Sequence, residues 1–349
     1  MALALRLFST HRKCIKNSET RVGVKLAAVP ERGRQLEGVD FVIVVDTSNS
    51  MAGEKLEFAA KAAEELALSL PRGNRLTVYK FSSNVVKVWE GEAGQRIELK
   101  LKPEPDTRLH TALRRISKEH GKRPTKLILL TDGEPTDKRE PESYERLLPD
   151  NVEVTAIGVG RDYNEIVLKR IADSNRGVFH HVDETSEVPK LVSGEVREVY
   201  AMNLTVDPPK EFLPINLDYP IKFPTVMDYV QVLGFVVVKP GDEPYEGHFK
   251  VTYDDPIGER VSLRLPLRVE RGERPEVDQG VVEEIRYYEL LKEYSYAVEQ
   301  RKGAEEALRK LQEFAERTRR TDLMESTRRL TGDSKQDLSQ VTRNMRRGK

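Results

Sequence analysis

Asp46-Thr47-Ser48-Asn49-Ser50 directly follows the apolar run Phe41-Val42-Ile43-Val44-Val45, which sets a carboxylate and two alternate hydroxyls where a buried strand ends. Such oxygens suit a hard divalent cation, which favours near-octahedral geometry and seldom draws every ligand from protein. Two later segments supply the rest. In Pro105-Asp106-Thr107-Arg108-Leu109 the hydroxyl of Thr107 precedes a helical pattern. Lys126-Leu127-Ile128-Leu129-Leu130-Thr131-Asp132-Gly133 is a second apolar strand, ending in an acid and a glycine that permits a sharp turn. Ligands of open parallel sheets gather beyond the carboxyl ends of the strands, so Asp46, Ser48, Ser50, Thr107 and Asp132 are expected to converge at one edge. Two carboxylates and three neutral hydroxyls leave Mg2+ (or Mn2+) short of negative charge. The cation then retains affinity for one more acidic oxygen, which an Asp or Glu of a protein partner can supply.

The elements that position these residues alternate along the chain. Leu56, Ala59, Ala60, Ala63, Leu66, Ala67 and Leu70 recur at helical spacing until Pro71-Arg72-Gly73 stops them. Arg75 to Phe81 alternates as a strand and is expected to pair with Val85 to Trp89 through a turn at Ser82 to Asn84. Then follow a helix from Leu109 to Ile116 and strands at Leu127 to Leu130 and Val152 to Val159. Next come a helix from Ile166 to Ala172, a strand from Gly177 to His181 and a helix from Glu187 to Val199. Repeated βαβ units of this kind imply an α/β fold with a doubly wound, mainly parallel sheet.

The pattern Asp-x-Ser-x-Ser, then Thr, then Thr-Asp-Gly resembles that of von Willebrand factor A (VWA) domains with a metal-ion-dependent adhesion site. Asp46, Ser48, Ser50, Thr107 and Asp132 match it one by one. A lone Asp-x-Ser-x-Ser also reads as a turn with Ser50 capping the next helix; five residues in order after the expected elements are far more specific. The resemblance covers residues 38 to 198 and implies a Rossmann-like fold that recognises a protein partner through the metal.

Outside that region the composition changes. Prolines at 208, 209, 214, 220, 224, 240 and 256 separate short apolar runs, an antiparallel pattern that marks residues 200–275 as a β-rich, sandwich-like domain. Within residues 1–37, Val22, Val24, Leu26 and Ala28 alternate in the segment 20–30 with nothing local to pair with, so this strand is expected to join the later β domain. The VWA domain is assigned to 38–199 and a helical hairpin, turning at Gly303, to 276–316. The pattern is thus that of a C-terminal helical segment, in which residues 317–349 read as a basic, Ser/Thr-bearing helical tail with ten Lys or Arg against four acidic residues. Its Ser326, Thr327, Thr331, Ser334, Ser339 and Thr342 are candidate phosphorylation sites, since added phosphate would reverse the local charge and create an anchor for an arginine-lined receptor. The order of these parts is similar to that of crenarchaeal VWA proteins that pair with a forkhead-associated (FHA) domain protein in regulating archaellum expression.

Composition excludes several alternatives. With 58 basic and 58 acidic residues the chain has no net field to hold nucleic acid or an anionic membrane. The single cysteine, Cys14, rules out an internal disulfide and points to a reducing cytoplasm. No stretch approaches the roughly 20 apolar residues that span a bilayer, and the charge after Met1 to Phe8 is on the wrong side for a signal peptide. His180-His181 have no further ligand at zinc spacing and read as strand residues; His110 and Glu134 to Asp137 read as loop. A magnesium-dependent phosphotransfer or hydrolytic enzyme is the main alternative. It requires a second carboxylate two residues after the first, where Ser48 stands, and the chain has neither a phosphate-binding loop nor, around Gly158-Val159-Gly160, a complete dinucleotide motif. RNA binding through the tail would rest on phosphate contacts alone, because residues 315–349 lack aromatics to stack on bases. The sequence therefore points to an intracellular, non-enzymatic scaffold or regulator.

Overall fold

The computed structural model describes residues 2–31, 38–194, 199–255 and 257–347. The chain divides into two compact units, one of residues 33–203 with 223–227 and one of 1–32, 204–222 and 228–349. In chain order the first strands are β1 (Leu3–Ser9), β2 (His11–Ile15) and β3 (Thr20–Pro30). The next stretch holds β4 (Asp40–Asp46), α1 (Glu54–Ser69), β5 (Arg75–Phe81), β6 (Val85–Glu92), α2 (Leu109–Glu119) and β7 (Thr125–Thr131). It continues with β8 (Val152–Val159), α3 (Glu165–Ser174), β9 (Val178–Val182) and α4 (Val188–Gly194). Then come β10 (Ala201–Asp207), β11 (Phe212–Pro214), β12 (Lys222–Val226), β13 (Val230–Val238), β14 (Tyr245–Asp254), β15 (Arg260–Gly272) and β16 (Glu276–Val277). Four helices close the chain: α5 (Gln279–Glu299), α6 (Ala304–Thr318), α7 (Thr321–Arg328) and α8 (Ser334–Arg347).

The first unit is the doubly wound sheet, ordered β6-β5-β4-β7-β8-β9, with every pairing parallel except the β5–β6 hairpin at the edge. β4 and β7 lie at its centre, and their continuous apolar runs are buried throughout, as strands covered on both faces require. α1 buries Leu56, Ala59, Ala62, Ala63, Leu66 and Ala67, so Ala62 takes the inward place that spacing alone gives to Ala60. The unit also takes back 223–227, a segment that the sequence assigns to the β-rich domain.

The other unit carries the sheet β1-β3-β13-β11 and, in a second sheet, the strand order β14-β15-β2-β16. β3 lies antiparallel to the distant β13 from Thr20↔Val238 to Ala28↔Val230, and, against the expectation of no local partner, also to β1 from Leu3↔Pro30 to Ser9↔Val24. β1 adds to β3, while β2 crosses to the other sheet and runs parallel to β15. α5 starts at the cap Asp278, whose carboxylate accepts from the Val281 amide at 3.2 Å. It packs Ile285 against Gly23 of β3, where a Cβ would meet Ile285 side-chain carbons at 3.2 Å.

The C-terminal segment is helical as expected, and its tail folds into α7 and α8 with much of α8 buried. Asp333 caps α8, accepting from the amides of Lys335 at 3.0 Å and Gln336 at 3.2 Å. Leu338 and Val341 are buried, and the helix end is received by amide side chains. Asn216 Nδ2 donates to the Met345 carbonyl at 2.8 Å, and Gln231 Nε2 donates to the Asn344 carbonyl at 3.2 Å. These contacts satisfy acceptors that a helix C-terminus otherwise leaves open. Thr327, Ser339 and Thr342 are consequently buried, whereas Ser326 and Ser334 are half-buried and Thr331 is exposed.

Among the described residues no helix is long and apolar enough to cross a membrane.

Candidate functional site

The five oxygen-bearing residues sit together at the carboxyl end of the central strands. Asp46 closes β4, fully buried; its Oδ1 accepts from the Ser48 amide at 2.8 Å and its Oδ2 from the Thr131 hydroxyl at 2.5 Å. The chain leaving β4 is held by the Thr47 amide, which donates to Phe81 carbonyl at 2.8 Å, and by a bridge between Ser48 and Glu104. One turn of 3-10 helix, Asn49–Met51, then aims Ser50 back at the sheet, anchored by the buried Met51. Gly53 follows with φ +81°, a left-handed conformation that favours glycine and lets α1 start immediately.

Asp132, also fully buried, extends from the end of β7. Its Oδ1 accepts from the Ser50 hydroxyl at 2.7 Å, and Ser50 Oγ lies 3.0 Å from Ser48 Oγ. A Cβ placed on Gly133 would stand 3.2 Å from Thr107 Oγ1 and 3.5 Å from Ser50 Oγ, so Thr107 faces the same cluster and glycine makes the approach possible. The loop carrying Thr107 is fastened at both ends. Ser83 Oγ donates to the Pro105 carbonyl at 2.8 Å, and Asp137 accepts from the Thr111 amide at 2.7 Å at the start of α2. Asp137 therefore caps a helix, a specific duty within what the sequence suggests is ordinary loop.

Electrostatics fit a cation here. Burial pushes the Asp46 carboxyl up to about 6, with the Asp132 charge adding to the rise and the hydrogen bonds from Thr131 and Ser48 opposing it. The cation beside Asp132 is Lys55, whose ammonium donates to Oδ2. Asp132 thus faces the ammonium while Asp46 is held by a hydroxyl and an amide, and the two buried carboxylates with the neutral hydroxyls between them form an oxygen set that suits Mg2+ or Mn2+. Among the described residues no group of three or more His, Cys, Asp or Glu could hold a metal, so a centre here relies on hydroxyl ligands for the remainder.

Other sequence candidates lie elsewhere. The His110 ring packs edge-on against Tyr144, and His181 Nδ1 meets the Tyr163 hydroxyl at 2.6 Å. His180 is buried in β9. Two contributors escape the sequence reading: Thr131, which supports Asp46 from the neighbouring strand, and Lys55. The only trace of Lys55 is a basic residue in the first turn of α1, a pattern that ordinarily marks a solvated face.

Residues 40–194 match the von Willebrand factor type A domain, and residues 279–347 match the archaellum regulatory network B (ArnB) C-terminal domain. The chain is 32% identical to the ArnB paralog VWA2 from Sulfolobus acidocaldarius, with a TM-score of 0.92 over 99% of this chain and 98% of that one. A von Willebrand factor type A protein from Catenulispora acidiphila shares the fold at TM-score 0.69 with 18% identity, over 99% of this chain and 97% of its own. Mouse inter-alpha-trypsin inhibitor heavy chain H2 is 24% identical over 181 residues, which are 44% of this chain and 19% of that protein. The chain spans about a fifth of the length of the curated relatives it matches. Two domain matches and a likeness to VWA2 from end to end lead to one conclusion: the chain belongs to the ArnB-type von Willebrand factor A proteins.

Proposed function

We propose that this chain is a regulatory module that recognises a protein partner through Mg2+ or Mn2+ held by Asp46, Ser48, Ser50, Thr107 and Asp132. The observation that carries the reading is the pair of fully buried carboxylates, Asp46 and Asp132, joined through Ser48 and Ser50. When bound, the cation supplies a coordination position for one outside oxygen, which an Asp or Glu of the partner fills. The chain's own part is to hold the oxygens in place: Thr131 orients Asp46, Ser50 orients Asp132, and the fastened loop presents Thr107. No second carboxylate stands where a phosphotransferase needs one, and the described contacts of Asp46 are those of a ligand held still.

The matches to ArnB and its paralog support a place in the regulation of the archaellum, inside the cell. The C-terminal helices and the loop between α7 and α8 carry the hydroxyls proposed for phosphorylation, and a phosphopeptide-binding FHA protein fits as the reader of Ser326, Thr331 or Ser334, which are the least buried of the candidates. The test is retention of partner proteins from native cells on the immobilised chain, in Mg2+ and in chelator, with wild type and Asp46→Ala. A partner held only by wild type in Mg2+ is expected; equal capture in chelator and by the variant overturns the metal-dependent reading.

A further inference from the structure

Lys55 is the site's unassigned member. Its ammonium is paired with Asp132 Oδ2 while Ser50 holds Oδ1, so both oxygens of that carboxylate already have partners. Asp132 is fully buried and the Lys55 side chain is 26% exposed, which places the charge at the mouth of the cluster rather than behind it. The tip of the lysine lies beside the end of β8, with Nζ 3.6 Å from where a Cβ of Gly160 would stand, so its approach to Asp132 runs along the rim of the sheet. Gly53, immediately before α1, sets the register that brings Lys55 there.

We infer that Lys55 is a resident competitor for the divalent cation, holding Asp132 in the metal-free protein and thereby setting how tightly the site takes up metal. The inference rests on the metal-centre reading above. Two carboxylates and one ammonium leave a net charge of −1; a divalent cation added beside the ammonium makes the cluster +1, against neutrality if the lysine were absent. Like charges this close repel strongly where water is scarce. Metal uptake must therefore displace the ammonium or tolerate it, and either course weakens binding. The same positive excess favours an anionic oxygen from outside, so Lys55 shifts the site towards taking cation and partner carboxylate together.

The test is calorimetric titration of Mn2+ alone into wild type, Lys55→Met and Lys55→Arg, with melting temperatures recorded with and without Mn2+. Lys55→Met is expected to bind Mn2+ about tenfold more tightly or better, while Lys55→Arg, which keeps the charge, stays close to wild type. Metal-free Lys55→Met is expected to melt lower than wild type and to gain more on adding Mn2+, because Asp132 then has no cationic neighbour until the metal arrives. Lys55→Gln serves the same purpose if the Met variant does not fold. Binding by Lys55→Met alone supports the inference most directly. Equal or weaker binding by a folded, uncharged variant, with wild type binding normally, overturns this inference and leaves the metal centre standing; Mn2+ uptake by none of the proteins overturns both.

Discussion

Thr136 clasps Thr107 from two directions: its amide donates to the Thr107 carbonyl at 2.9 Å, and its hydroxyl accepts from the Thr107 amide at 3.2 Å. The two residues belong to loops after different elements, so this reciprocal pair fixes the distance between the Thr107 hydroxyl and the end of β7. Thr136→Val keeps the shape and the backbone bond but leaves the Thr107 amide without its acceptor. A loss of ~1 kcal/mol of stability is expected from one such bond, together with weaker Mn2+ binding. Calorimetric titration alongside urea unfolding checks both, and unchanged Mn2+ affinity would show that the clasp does not position the ligand.

Ser50 offers a cleaner test of the ligand set, because its hydroxyl contributes little to the core. It donates to Asp132 and touches Ser48, and removing it leaves Met51 and the start of α1 undisturbed. Ser50→Ala is expected to change folding stability by ~1 kcal/mol or less while weakening both Mg2+ and partner binding. A variant that titrates Mg2+ like wild type would remove Ser50 from the assignment.

The metal-free site should announce itself in the pH dependence of stability. Burial raises the folded Asp46 carboxyl to about 6, above the ~3.9 of an unfolded aspartate. A carboxyl raised on folding contributes stability that is complete below its unfolded value and is lost as pH climbs through its folded value. Two pH units correspond to ~3 kcal/mol, so wild type in chelator is expected to lose stability of that order between pH ~4 and ~7 relative to Asp46→Asn. Saturating Mg2+ should reverse the loss above pH ~6, since binding requires the ionised carboxylate. Urea unfolding of both proteins at stepped pH provides the comparison; parallel curves would contradict the burial argument.

Much of this architecture is legible in the chain because the VWA elements advertise themselves locally. β4 and β7 are unbroken apolar runs, and Asp46 and Asp132 terminate them. β3 is legible as a strand from its alternation, although its partner β13 lies some two hundred residues away. β1 and β2 are less so: Leu3, Leu5 and Leu7 alternate, but β1 pairs with β3 across the excursion of β2, with no hairpin turn to announce it. The last helices are obscured for a different reason. α8 has few apolar residues, and its place depends on Asn216 and Gln231 meeting its carbonyl end, a match between polar groups that no periodicity reveals. Lys55 is hidden likewise, since a lysine on an exposed first turn differs from a solvated one only by what the sheet places opposite it.

Asp337 is the buried pin of the C-terminal segment. It accepts from the amides of Thr331 at 2.7 Å and Gly332 at 2.8 Å, and from the Tyr294 hydroxyl of α5. Burial, together with that carboxylate, raises the Tyr294 phenol, keeping it a proton donor to Asp337. Asp337→Ala removes the acceptor of two amides, the Tyr294 phenol and the Thr331 hydroxyl at once, and a loss of ~3 kcal/mol is expected, on the scale of other broken buried networks. Thermal unfolding is the measurement, and a shift within error would mean that α8 is held by its apolar face alone.

The folding of residues 317–347 into helices also sorts the candidate phosphorylation sites. Thr342 is 1% exposed and its hydroxyl donates to the Ser339 carbonyl at 3.0 Å; Thr327 donates to the Leu323 carbonyl at 2.8 Å. A kinase needs an extended, accessible segment, so these two and Ser339 are expected to resist labelling while the helices are intact. Thr331, in the loop before α8, is exposed, but its hydroxyl lies 3.3 Å from Asp337 Oδ1, so a phosphate there would face a buried carboxylate and loosen the pin. Treating the folded protein with a Ser/Thr kinase and locating phosphate by mass spectrometry is expected to find Ser326, Thr331 or Ser334 labelled first. Labelling of Thr327, Ser339 and Thr342 should follow only in Asp337→Ala or after partial unfolding. Early labelling of Thr342 in the intact wild type would show that α8 leaves its seat on a shorter timescale than its buried contacts imply.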